Sequence, residues 1–212
     1  MKEAFRVLMY RPKLGDGKWL DNAILACTLQ YNPPMWNKPK LWSSHAEIWT
    51  PDETGNFDNG QAFTSTMGQA GGENRPKEDG VVLRPVHQVI KHLYRWYYYP
   101  VYCSAQGYER LQTWQDVWLR QNKGYNKSDI VDFFNPFKRR QDLRKWICSG
   151  VTWASICVAF DTQPILPKKR YLGHSIQELP SPLRLSRWLL DAPAEEIGNP
   201  IDLETGKVLY TK

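Results

Sequence analysis

The chain has 212 residues, and 28 Lys and Arg against 22 Asp and Glu give a formal charge of +6. Hydrophobic residues make up 42% and charged residues 24%, which excludes a disordered chain; 14 Gly and 15 Pro exclude a collagen-like or low-complexity one. Ten Trp and eleven Tyr admit two readings, a thick aromatic core or a basic stacking surface for nucleic acid, and composition does not choose between them.

The length fits one domain over 1–212, and the Pro-rich segment from about 164 is expected to wrap over it as a C-terminal extension. Phe5 to Tyr10 reads as a strand, followed by a Gly15-Asp16-Gly17 turn. From Trp19 to Leu29 apolar residues recur at Leu20, Ala23, Ile24 and Cys27, one helical face, with Asp16 or Asp21 as its cap. Three prolines make Tyr31 to Trp42 a loop. Ser44 to Trp49 alternates, His45, Glu47 and Trp49 on one face and Ala46 and Ile48 on the other, as a strand does. With Ala62 to Met67 and Val81 to Val86 it predicts an antiparallel meander. His87 to Trp96 has a loose helical stripe, and Tyr108 to Gln121 reads as a helix. A basic turn from Arg139 then feeds a long buried helix ending near Phe160.

The first ten residues hold no uninterrupted apolar run, so no signal peptide is expected. The apolar stretch Trp146 to Phe160 falls short of the roughly 20 residues that a membrane span needs. The expectation is a cytoplasmic protein with no transmembrane segment. Four cysteines without a C-x-x-C pair argue against a disulfide scaffold or a zinc ribbon. His and Cys are not clustered as metal ligands, and no phosphate-binding or dinucleotide glycine loop is present. Neither a metal nor another cofactor is expected.

Cys148 is the most informative residue. It lies at a helix start after Lys138, Arg139, Arg140, Arg144 and Lys145, and both features stabilise a thiolate. Cys148, Thr152 and Ser155 share a helical stripe, which suits a nucleophile facing a cleft; a small core residue is the alternative. Cys27, Cys103 and Cys157 read as structural. A cysteine nucleophile needs a base, and of four histidines His45 shares its strand face with Glu47.

The order Ser44-His45-Ala46-Glu47-Ile48-Trp49, a further strand, and then Trp146-Ile147-Cys148-Ser149 opening an apolar helix resembles a known family. It is similar to the circularly permuted papain-like hydrolases of the NlpC type, including the YiiX-like and lecithin:retinol acyltransferase-like groups. The resemblance covers about residues 5–160. It implies an α+β fold, a small antiparallel sheet packed against helices, with Cys148 as nucleophile and His45 as general base. It implies a peptide or acyl-lipid substrate and suits a bacterial or phage protein. The acidic residue often found after Cys-Ser is Gly150 here. The third residue, which orients the imidazole, comes in such enzymes from the strand after His; Phe63-Thr64-Ser65-Thr66 offers only Ser65, and Glu47 is the alternative. Tyr125, in Lys123-Gly124-Tyr125-Asn126, stands where family members often carry Tyr-Asp before the Cys helix; with Trp49 it would line the substrate site, a packed aromatic being the alternative. Two other readings stand beside the hydrolase: a non-catalytic interaction protein on the same fold, and, less favoured because the charges are dispersed, a nucleic-acid-binding module.

Overall fold

A computed structural model describes residues 2–12, 19–30, 32–67, 79–121, 124, 147–162, 168–171, 174–177 and 181–212. Tyr125, Trp146 and the basic run 138–145 lie outside the described residues.

Five strands of six or seven residues and one of two build a six-stranded antiparallel sheet in the order β4-β3-β2-β1-β5-β8. They are β1 (Phe5–Tyr10), β2 (His45–Thr50), β3 (Gln61–Met67), β4 (Asp79–Pro85), β5 (Trp96–Val101) and β8 (Ile201–Asp202). A separate hairpin pairs β6 (Lys168–Tyr171) with β7 (His174–Gln177). The helices are α1 (Trp19–Gln30), the single turn α2 (Val86–Val89), α3 (Ala105–Gln121), α4 (Cys148–Ala159) and α5 (Pro182–Asp191). The class is therefore α+β. No helix among the described residues is long and apolar enough to cross a membrane.

The register explains which strand faces are buried. Val7 opposes Ile48 and Tyr99, and Met9 opposes Ala46 and Tyr97, so these side chains stand together on one face. They form the main core with Phe63, Leu111 of α3, Val151 and Ala154 of α4, and Leu183 and Leu185 of α5. The other face carries a smaller cluster of Leu8, Trp49, Val86 and Trp96. There the Arg6 guanidinium lies over Trp49, Phe57 and Tyr98, at 4.6, 3.9 and 4.4 Å from the ring centres, and Glu3 accepts from its Nε at 2.7 Å. A cation among three aromatic faces is attracted by each ring's quadrupole.

The segment expected to be helical from His87 to Trp96 is not. It holds α2, a 3-10 turn at Leu93–Arg95, and then the start of β5, the partner of β1. Tyr97 and Tyr99 face the main core while Trp96 faces the second cluster, so two-sided burial erases the alternation by which a strand is recognised. Asp21 sits inside the first turn of α1, accepting from the Ser44 hydroxyl at 3.0 Å, and is not its cap. The loop from 31 to 42 contains 3-10 turns at Pro33–Met35 and Pro39–Leu41.

The C-terminal segment is more than a strap. Ser181 caps α5 by accepting from Arg184 N–H at 3.3 Å, with Pro182 in the first turn where its missing N–H costs nothing. Ser186 of α5 meets the Tyr97 and Tyr99 hydroxyls at 2.9 and 3.0 Å, and Tyr97 donates to Leu41 O at 2.7 Å. This joint ties α5 to β5. On the same face α3 crosses α4 at Gly107. A Cβ there would meet Ala159 O at 2.3 Å, so only glycine allows the contact. Arg110 then donates to Val158 O and Ala159 O at 3.2 and 3.1 Å, satisfying carbonyls at the C-terminus of α4. The far end of α4 is thereby fixed, and its N-terminus carries Cys148.

Candidate active site

β2 begins at His45 and α4 begins at Cys148, and the fold brings these two starts together. The ladder between β2 and β3 runs from Thr50–Gln61 to Ile48–Phe63 and stops there. Beyond it Thr64 Oγ1 donates to Ala46 O at 2.9 Å, a side chain standing where a backbone bond would continue. α4 packs against β2.

The His45 side chain is hydrogen-bonded to Cys148 and to Glu47. Its Nε2 lies 2.9 Å from Glu47 Oε1. With Nε2 engaged by the carboxylate, Nδ1 is the ring nitrogen left for the sulfur. Glu47 is fully buried, and Arg84 Nη2 donates to the same Oε1 at 2.8 Å. Cys148, His45, Glu47 and Arg84 thus form a continuous row.

Charge in this row is unevenly held. Burial is the largest influence on His45 and opposes the imidazolium, but the thiolate charge of Cys148, its hydrogen bond and those of Glu47 together outweigh it. The ring pKa is raised from 6.5 to about 9. For Glu47 burial again is largest and opposes ionisation; the Arg84 charge and the bond to His45 outweigh it and hold the carboxyl below its ordinary value. A protonated ring at neutral pH beside a cysteine is the setting of a thiolate–imidazolium pair. Ile147, extended, is the N-cap of α4, and the first helical bond runs from Val151 N–H to Ile147 O at 3.0 Å. The N–H groups of the first turn and the helix dipole favour negative charge at Cys148.

The other residues expected at the site are buried wherever the structure describes them. Thr152 and Ser155 are fully buried and donate back to Cys148 O and Val151 O, at 2.9 and 2.8 Å, so the polar stripe of α4 is turned into its own backbone and does not line a cleft. Ser65 is fully buried on β3, paired through its backbone with Val81. Trp49 is not brought to the Cys148–His45 contact. It is buried in the second cluster, and its Nε1 donates to Phe57 O at 2.7 Å. Tyr125 lies outside the described residues. Burial raises the Cys157 thiol to about 11 and also raises Cys103. Sequence reasoning missed Arg84; its signal is an arginine at the end of an apolar strand.

No group of three or more His, Cys, Asp and Glu among the described residues is placed to hold a metal ion. A groove of about 1260 Å³ lies at the other end of β2, bordered by Thr50, Asp52, Phe57, Tyr108 and Gln115, and neither His45 nor Cys148 borders it. The candidate site therefore rests on the side-chain contacts, not on cavity size. Comparison with family models, with curated protein sequences and with solved structures returns no match.

Proposed function

We propose that the protein is a cysteine hydrolase of amide or ester bonds on a permuted papain-like fold, with a peptide or acyl-lipid substrate. The observation that carries this reading is the hydrogen bonding of His45 to Cys148 on one side and Glu47 on the other. The α+β class and the order of the His strand before the Cys helix support it as well.

In this reading the Cys148 thiolate attacks the substrate carbonyl carbon, and the carbonyl electron pair moves onto oxygen. N–H groups at the start of α4 stabilise that oxyanion. The intermediate collapses as the carbon–nitrogen or carbon–oxygen bond breaks, and the His45 imidazolium gives its proton to the departing amine or alcohol. Water then attacks the thioester while His45 takes its proton. The acid leaves, and the thiolate–imidazolium pair is restored. Glu47 orients the ring and stabilises its charge throughout.

The deciding experiment compares wild type with Cys148→Ala on cell-wall peptides and on acyl lipids, with mass spectrometry of the protein during turnover. Activity on one class, lost in the variant, with an acyl adduct on Cys148, is expected. Turnover that survives in Cys148→Ala sinks the reading, as does inactivity of the wild type on both classes.

A further inference from the structure

Arg84 reaches Glu47 from two strands away. The register sets Arg84 of β4 beside Ala62 of β3, and Ala62 beside Trp49 of β2, so all three share the face of Glu47. Ala62 is fully buried and offers only a methyl group, over which the guanidinium crosses β3. β1 faces Glu47 with Leu8, and β3 carries no titratable side chain. Among the described residues, the charged groups acting on Glu47 are Arg84 of β4, His45 of its own strand and, through His45, Cys148 of α4.

We propose that Arg84 is a positioning residue that keeps Glu47 an anion and thereby fixes which nitrogen of His45 carries the proton. This rests on the Cys148–His45 reading given above. An ionised carboxylate only accepts hydrogen bonds, so Nε2 keeps its proton, and when the imidazolium gives one up during turnover it is the Nδ1 proton, on the side of the sulfur, that leaves and returns. A protonated Glu47 can donate into Nε2 instead. The proton of a neutral ring then sits on Nδ1, which cannot accept from sulfur. Glu47 has no exposed surface, so without the guanidinium burial drives it toward that protonated state. Arg84 touches neither Cys148 nor substrate in this scheme; it acts through Glu47.

The test is the rate of Cys148 alkylation by iodoacetamide in the full chain as a function of pH, with the modified residue identified by mass. In Arg84→Met the acid limb of the profile moves up by about one pH unit or more. In Arg84→Lys, which keeps the charge, it stays close to wild type. In a Glu47→Gln background, Arg84→Met produces no further shift. A folded Arg84→Met protein with the wild-type acid limb overturns the proposal while leaving the Cys148–His45 pair standing. A wild-type Cys148 that reacts no faster than Cys103 removes the hydrolase reading and this proposal with it. Should Arg84→Met fail to fold, the 13C carboxyl titration of Glu47 in wild type and Arg84→Lys decides. A midpoint below the ordinary 4.5 supports the role, and one at or above it overturns it.

Discussion

His45 and Glu47 stand two positions apart on one face of β2, and their side chains close to 2.9 Å. Their Cα atoms are separated by about 7 Å, from a rise of roughly 3.3 Å per residue. Two long side chains leaning along the strand span that gap, so a single strand supplies both the imidazole and the group that holds it. Whatever moves one moves the other, which keeps their spacing independent of loop geometry.

The His45 ring provides a direct readout. Burial works against its charge, and the Cys148 thiolate and Glu47 outweigh burial, so the ring is expected to titrate near 9 in 1H–13C spectra. The folded pKa lies above the ordinary 6.5, so the stability linked to this proton is fully present below pH 6.5 and is lost as pH rises through about 9. Cys148→Ala removes the thiolate, and the midpoint is expected to fall by about one unit or more. An unchanged midpoint would show that Cys148 exerts no field on the ring.

The thiols should differ sharply. Burial pushes Cys157 to about 11 and raises Cys103, whereas Cys148 sits at a helix N-terminus beside an imidazolium. Iodoacetamide at pH 7 is expected to modify Cys148 at least about tenfold faster than Cys103 or Cys157. Peptide mapping after partial alkylation measures the order, and equal labelling of the three contradicts it.

Gly107→Ala tests the crossing of α3 and α4. The added methyl group meets Ala159 O at 2.3 Å, and because the obstacle is backbone, the helices must separate. The expected cost is about 1–3 kcal/mol in denaturant unfolding. A variant as stable as wild type would mean that the helices cross further apart.

Arg6→Met keeps an unbranched apolar stem and removes the charge held among Trp49, Phe57 and Tyr98. A loss of about 1–2 kcal/mol is expected, largely independent of salt because the attraction is to ring faces at close range. The Glu3→Gln variant should cost less, since that ion pair is partly exposed. The reverse ranking would assign the stabilisation to the ion pair.

Much of the site was legible because its signals are local. The shared face of His45 and Glu47 follows from the two-residue period of a strand, and the start of α4 from the apolar run after a basic segment. Arg84 was not legible, since its diagonal reach depends on the registers of β2 with β3 and of β3 with β4, which no residue spacing reveals. β5 was hidden for another reason. Trp-Tyr-Tyr-Tyr-Pro-Val is buried on both faces, and a strand buried on both sides shows no polar alternation. The cap Ser181-Pro182 does mark α5, but the prolines around it read as an irregular tail.

The short strand β8 has a consequence for self-association. β5 is an aromatic strand whose outer edge would otherwise offer a row of free backbone groups to another chain. Tyr97 and Tyr98 pair with Asp202 and Ile201, Gly198 N–H donates to Pro100 O at 2.8 Å, and Val101 bridges to Ile197. The chain thus covers its own most adhesive border with a few residues near its C-terminus. Unpeeling them, by proteolysis or by a substitution at Gly198 where a side chain would strike Pro100, would uncover a template for edge-to-edge aggregation before the core itself gives way.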